Sequence, residues 1–147
     1  LGLIKDIENL LLQSKYFNDF KRFTCLDNNS FPKVIIIDKV GILPELYKYS
    51  KFAYIGGGFG AGVHSTIEPL VYNNIVCYGP NIDLLDEAKE MSEIGCGFIV
   101  ENDREMYKKY LEYLDLVKFQ EIKIKIDEYI KTKQISSNII TKVIDEI

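Results

Sequence analysis

The sequence predicts an α/β domain, a Rossmann-like parallel sheet with helices on both faces. Short and almost uninterrupted apolar runs, such as VIII at residues 34–37 and FAYI at residues 52–55, have the length and composition of buried strands. These runs alternate with segments whose apolar residues recur at helical spacing, and glycine-containing loops follow several of them. Such alternation predicts parallel strands that are joined by crossover helices.

Each element is predicted from its own pattern. Helical spacing indicates helices at LIKDIENLLL, LPELYKYS, STIEPLVYN and DLLDEAKEMSEIG, and Gly95 ends the last of these because glycine commonly follows a helix. Apolar runs predict strands at KRFTCL, KVIIID, KFAYIGG, IVCYGP and GFIV. From Asp103 onward the spacing is helical throughout, so residues 103–147 are expected to form a helical tail.

Length and charge narrow the possible classes of function. The chain has 147 residues, 47% of them hydrophobic, which suits one domain with a substantial core. The formal net charge is −4 and the basic residues form no block, so we expect no nucleic-acid partner. No apolar run approaches the roughly 20 residues that a membrane-spanning helix needs. The first residue is Leu1 inside a helical pattern, so we expect the chain to be part of a longer protein.

The cysteines predict neither a metal site nor a disulfide framework. Cys25, Cys77 and Cys96 are too far apart for a C-x-x-C motif, and their number is odd. We expect three buried, reduced thiols, as in a cytosolic protein, and no bound metal.

Three glycine-containing loops follow predicted strands, where open α/β sheets bind their ligands. They are DKVGILPE, GGGFGAGVHSTIE and YGPN. In the second, Gly56, Gly58 and Ala61 satisfy the dinucleotide-binding spacing G-x-G-x-x-A, but the helix starts late and no acidic residue closes the next strand. The loop also lacks the lysine of a phosphate-binding P-loop and the serine motif of a hydrolase.

The STIE segment has two interpretations that the spacing leaves open. Ser65 and Glu68 have the spacing of a capping box, in which each side chain would bind the backbone N–H of the other residue. Alternatively, the glycine-lined helix start receives an anion or a sugar hydroxyl, with Glu68 as the hydrogen-bond acceptor.

Three motifs lie in order between Ile35 and Asn81: a D-x-x-G-x-L turn, a G-G-x-x-x-x-G-x-H-x-x-x-E-P loop, and a strand that ends in G-P. In this order and spacing they resemble the carboxyl-terminal half of the 3-deoxy-D-manno-octulosonic acid (Kdo) transferases of lipopolysaccharide synthesis. The matching residues are Asp38, Gly41, Leu43, Gly57, Gly62, His64, Glu68, Pro69, Gly79 and Pro80.

The resemblance implies a glycosyltransferase of the two-domain GT-B type. Residues 1–147 would be its C-terminal nucleotide-sugar-binding domain, without the first strand of that domain. The donor would be CMP-Kdo, the acceptor a lipid A precursor, and no metal or other cofactor would be needed. The catalytic base, the acceptor site and a membrane anchor would lie in an N-terminal domain outside this sequence. The isolated chain is therefore expected to be inactive, and the whole enzyme to work at the cytoplasmic face of the bacterial inner membrane.

The same resemblance implies which residues bind the donor. Glu68 would accept ribose hydroxyls, His64 would donate to the sugar or phosphate or bind its own loop, and backbone N–H groups with Lys39 would face the phosphate. The expected donor-binding residues are Lys39, Val40, Gly41, Gly57, Gly58, Gly62, His64, Ser65, Glu68, Gly79 and Pro80. Two alternatives stay open: another GT-B enzyme that uses a UDP-sugar, as a transferase or an epimerase, and a non-catalytic domain that binds a protein through its helical tail.

Overall fold

A computed structural model of the chain describes residues 2–14, 19–60 and 62–145. The chain divides into two compact units, residues Leu1–Leu43 and residues Pro44–Ile147. Both contain parallel strands together with helices, so the predicted α/β class is confirmed. The strands form two sheets, one of two strands and one of three.

The first unit contains helix α1 (Gly2–Gln13), strand β1 (Phe20–Arg22), a 3-10 turn (Phe23–Cys25) and strand β2 (Val34–Ile36). β1 and β2 pair in parallel, with Phe20 opposite Val34. The Arg22 guanidinium donates to both carboxylate oxygens of Glu8, which ties β1 to α1. The strand predicted at KRFTCL is therefore wrong from Phe23 onward, because the chain turns after Arg22 and Leu26 donates its backbone N–H to the Phe23 carbonyl.

The second unit carries most of the secondary structure. Its sheet contains β3 (Phe52–Ile55), β4 (Ile75–Tyr78) and β5 (Gly97–Ile99), in the order β3-β4-β5 and all parallel. The helices are α2 (Leu43–Tyr47), α3 (Ile67–Leu70), α4 (Asp86–Ile94), α5 (Asp103–Glu112) and α6 (Leu116–Asp145), of which α2 begins at the last residue of the first unit. Every residue of the central strand β4 is buried, as expected for a parallel strand that is covered on both faces.

The predicted helical tail forms α5 and α6, while Glu146 and Ile147 lie outside the described residues. Ile122, Ile126 and Tyr129 of α6 are buried in the core of the second unit, together with side chains of α4 and β4. The Tyr129 hydroxyl donates to the Glu90 carboxylate at 2.8 Å, and the Lys133 ammonium also pairs with Glu90. The apolar side chains of α6 therefore pack into the core of the second unit.

The expectation of three buried thiols is wrong for Cys25, which is exposed in the 3-10 turn. Cys77 on β4 and Cys96 beside β5 are buried. Burial raises the pKa of the Cys77 thiol to about 12 and that of Cys96 to about 11, so both stay protonated at neutral pH. Among the described helices, none has the length and apolar character needed to cross a membrane.

We predict that the buried hydroxyl of Tyr78 contributes measurably to stability. It donates to the Ala88 carbonyl of α4 at 2.7 Å and thereby joins the central strand to a helix. Tyr78→Phe removes this bond and should lower the free energy of unfolding by about 1 kcal/mol, measured by chemical denaturation. Tyr107→Phe, at a side chain that is 59% exposed, is the matched control and should change little. Equal loss from both variants would contradict the prediction.

Candidate functional site

Two of the predicted loops meet at the carboxyl ends of β3 and β4. Ile55 and Tyr78 are the last residues of β3 and β4 and lie opposite each other, so the loops that follow them begin side by side. Asn81 connects them: its backbone N–H donates to the Gly58 carbonyl at 2.9 Å and its side-chain amide donates to the Gly60 carbonyl at 2.7 Å. The Val63 N–H donates in turn to the Asn81 carbonyl at 3.3 Å. The glycine-rich loop is thus held against the turn after β4.

The glycines are required because the two backbones touch. A Cβ atom on Gly58 would lie 2.6 Å from the Gly79 Cα, and a Cβ on Gly79 would lie 2.6 Å from the Gly58 carbonyl carbon. Gly57 has φ +93°, and its Cβ would lie 2.1 Å from the Gly62 oxygen. The Gly57 carbonyl accepts the N–H groups of Gly60 and Gly62, which closes the loop on itself. No larger residue fits these positions without moving backbone.

The predicted capping box at STIE is wrong. Helix α3 begins at Ile67, two residues later than predicted, and Thr66 rather than Ser65 precedes it. Thr66 has helical backbone angles, φ −96° and ψ −20°, and its side chain makes no capping hydrogen bond. The reason is burial: Thr66 is 1% exposed inside the unit, whereas Ser65 is exposed ahead of the helix. Pro69 lies within the first turn, where its missing N–H costs nothing.

Glu68 is consequently an exposed carboxylate, and within the described part of the chain no hydrogen bond or ion pair occupies it. The pKa of the Tyr47 phenol at the end of α2 is raised by burial and, second, by the negative charge of Glu68. His64 is also exposed, and its Cδ2 lies beside Gly57. His64 and Ser65 at the end of the loop and Glu68 in α3 are thus polar side chains exposed to solvent.

The remaining predicted site residues belong to the first unit or follow strand β4. Lys39, Val40 and Gly41 belong to the first unit and are exposed, and Gly41 has φ +87°. Beside them, Asp38 accepts hydrogen bonds from the Thr24 hydroxyl and backbone N–H, and these bonds hold its pKa below the ordinary range. Pro80 is exposed after the buried Gly79, and Ala61 lies outside the described residues.

Sequence patterns did not indicate the side chain of Asn81 as the connection between the loops. The only signal was a polar residue directly after a Gly-Pro turn, and asparagine is common in turns of every kind.

The sequence also contains no indication of a cavity of about 320 Å³ beside Phe59. Its lining is mainly apolar and lies at the carboxyl ends of β3 and β5: Tyr54, Phe59, Val100, Asn102, Asp103 and Met106.

A parallel sheet with glycine loops joined at the carboxyl ends of adjacent strands, and an exposed carboxylate beside them, defines a Rossmann-like ligand-binding domain. No protein-family profile matches the chain. Individual known proteins do. A 3-deoxy-D-manno-octulosonic acid transferase of Aquifex aeolicus is 36% identical over 126 residues, which are 84% of this chain and 35% of that protein. The corresponding enzyme of Chlamydia muridarum is 34% identical over 53% of this chain and 19% of that protein.

A bifunctional glycosyltransferase/methyltransferase of Fusobacterium nucleatum is 34% identical over 74% of this chain and 17% of that protein. Among solved structures, the C-terminal CMP-Kdo binding domain of WaaA from Acinetobacter baumannii superposes with a TM-score of 0.68 at 18% identity, over 75% of this chain and 60% of that one. This superposition shows a shared fold.

The chain is therefore homologous to the Kdo transferases, as the three motifs predicted. It spans about a third of the length of the Aquifex aeolicus relative.

We predict that Gly58→Ala destabilises the loop because its Cβ would press on the backbone of Gly79, which is buried directly after β4. The expected loss is about 1–3 kcal/mol in the free energy of unfolding. Gly56→Ala is the matched control in the same loop, since a Cβ there meets nothing within 4 Å. Thermal and urea unfolding of both variants test the contact, and equal stability of the two would show that the backbones do not touch.

Proposed function

We propose that this chain is the donor-binding part of a Kdo transferase and that it binds CMP-Kdo for transfer to a lipid A precursor. The observation that carries the proposal is the 36% identity to a Kdo transferase over 84% of the chain. An alignment of that extent necessarily includes the loops after β3 and β4. The geometry of these loops is independent support, because the backbones of Gly58 and Gly79 approach each other closely and Gly57 packs against Gly62 inside the glycine loop.

The reaction makes specific demands on this half of the enzyme. An acceptor hydroxyl attacks the anomeric carbon of Kdo and CMP leaves, so negative charge grows on the phosphate that must be stabilised by fixed dipoles and hydrogen-bond donors. In our proposal, backbone N–H groups of the glycine loop and the exposed His64 supply these donors. The Glu68 carboxylate accepts the ribose hydroxyls, and Ser65 and Pro80 border the donor.

The whole protein would supply the rest of the reaction. The matched relatives are about three to six times longer than the aligned part of this chain, so there is room in them for a second domain. We propose that an N-terminal domain carries the catalytic base, the lipid A acceptor site and the attachment to the inner membrane. The 147-residue chain alone would then bind donor without transferring sugar.

One comparison favours a second candidate, a glycosyltransferase of the same architecture with a different donor such as a UDP-sugar. The relative from Fusobacterium nucleatum is called a glycosyltransferase without mention of Kdo, and its identity of 34% is close to that of the Kdo transferases. Both candidates would use Glu68 for the ribose, so they differ at the base and the sugar.

We predict that the chain binds CMP in preference to UMP and AMP, with weak affinity because half a site lacks the contacts and preorganisation of the whole. Isothermal titration calorimetry with the three nucleotides measures this preference directly. Preference for UMP would favour the UDP-sugar enzyme. Absence of binding by all three at millimolar concentration would overturn the proposal and favour a protein-interaction domain.

We predict that Glu68→Gln lowers CMP affinity about ten- to a hundredfold, since a charged acceptor of ribose hydroxyls becomes a neutral one. Stability should barely change, because Glu68 is exposed and takes part in no capping box. Glu93→Gln removes the same charge from an exposed position of α4, near the amino-terminal end of β5, and should leave affinity unchanged. Ser65→Ala should leave the melting temperature unchanged, since Ser65 does not cap α3. Normal CMP binding by Glu68→Gln would remove Glu68 from the site.

A further inference from the structure

Asn74 is fully buried immediately before the central strand β4, in a setting that otherwise favours apolar side chains. Burying an amide costs free energy unless its donors and acceptor are all paired. Here they are paired: the side-chain nitrogen donates to the Tyr47 carbonyl at 2.9 Å and to the Pro69 carbonyl at 3.1 Å, and the side-chain oxygen accepts the Ser50 hydroxyl. Two carbonyls facing one nitrogen also fix the orientation of the amide unambiguously.

The three partners belong to two different helical segments. Tyr47 is the last residue of α2 and Ser50 follows it, whereas Pro69 lies inside α3. The Pro69 carbonyl also accepts the backbone N–H groups of Tyr72 and Asn74, each at 3.2 Å. A single buried side chain therefore joins the end of α2 to the backbone that directly follows Glu68.

Polar side chains lie in both of the segments that Asn74 joins, and Lys48 and Glu68 are exposed. Burial and, second, the charge of Glu68 raise the pKa of the Tyr47 phenol. The Lys48 ammonium lies 5.9 Å from the centroid of the Tyr72 ring. Tyr47 ends α2 and Lys48, which pairs with Glu45, directly follows it, whereas Glu68 lies in α3 and Tyr72 shortly after it. Their mutual placement depends on how α2 is attached to α3.

We propose that Asn74 is a positioning residue: by binding the carbonyls of Tyr47 and Pro69 it fixes α2 against α3 and so sets the direction of the Glu68 carboxylate. This role rests on the function proposed above, in which Glu68 accepts the ribose hydroxyls of the donor. Asn74 itself is buried and touches no ligand. Its effect on binding is transmitted through Glu68.

The test compares CMP affinity of Asn74→Leu with that of the unsubstituted chain, at a temperature where both are fully folded by circular dichroism. Leucine has a similar size but leaves both carbonyls without their side-chain donor, so we expect about a tenfold loss of affinity. Ile126→Ala is the control for destabilisation alone, because Ile126 is fully buried on α6 and makes only apolar contacts. It should lower the melting temperature without changing CMP affinity.

A double-mutant cycle with Glu68→Gln separates positioning from a general loss of structure. If Asn74 acts through Glu68, Asn74→Leu should cost less than about threefold in affinity when Glu68→Gln is already present. Full additivity of the two substitutions, or unchanged affinity of the single variant, would overturn the inference. Should Asn74→Leu fail to fold, Ser50→Ala removes only the hydroxyl that holds the amide oxygen, and it should weaken CMP binding in the same non-additive way.

The outcomes also distinguish this inference from the proposed function. If the unsubstituted chain binds no CMP, the function itself fails and the cycle has no signal to measure; the inference falls with it. If the unsubstituted chain binds CMP and Glu68→Gln weakens binding, but Asn74→Leu does not, only the positioning role of Asn74 is wrong.

Discussion

The complete burial of strand β4 is the constraint on which the second unit and its site depend. Ile75, Val76, Cys77 and Tyr78 are each at most 1% exposed, so both faces of this short strand need a cover of apolar side chains. The core cluster around β4 draws on α3, α4 and α6. Because β4 cannot shift without exposing this core, the residues at its two ends are held in place as well. Those residues are Asn74 at the amino end and Gly79 at the carboxyl end.

The two ends use different chemistry for similar purposes. At the amino end, a buried amide binds two carbonyl groups, which requires correct hydrogen-bond geometry and tolerates no apolar substitute without loss. At the carboxyl end, Gly79 has no side chain and therefore allows the Gly58 backbone to approach it. The first arrangement orients the helical segment that bears Glu68, and the second fixes the glycine loop that bears His64. The positions of Glu68 and His64 therefore both depend on the buried strand β4.

The sequence predicted the features that depend on local pattern. Apolar runs predicted β2 to β5, and helical spacing predicted α1, α4 and α6. It failed where a tertiary contact overrides a local preference. Ser65 and Glu68 have the right spacing for a capping box, yet burial of Thr66 moves the helix start by two residues. Asn74 and Asn81 look like ordinary turn residues in the sequence, because hydrogen bonds over more than twenty residues leave no local pattern.

Loss of the capping box changes how Glu68 should be understood. A carboxylate that closes a helix start has its oxygens occupied by backbone N–H groups, and a ligand would have to compete with them. Glu68 instead stands exposed on a four-residue helix, too short to have a large dipole of its own, so its direction must come from neighbouring structure. The Pro69 carbonyl accepts three hydrogen bonds, two from Asn74 and one from the Tyr72 N–H, and these bonds supply that direction. The exposed group is free to bind and the buried group is committed to structure, so a change at Glu68 should alter affinity alone, whereas a change at Asn74 should alter stability as well.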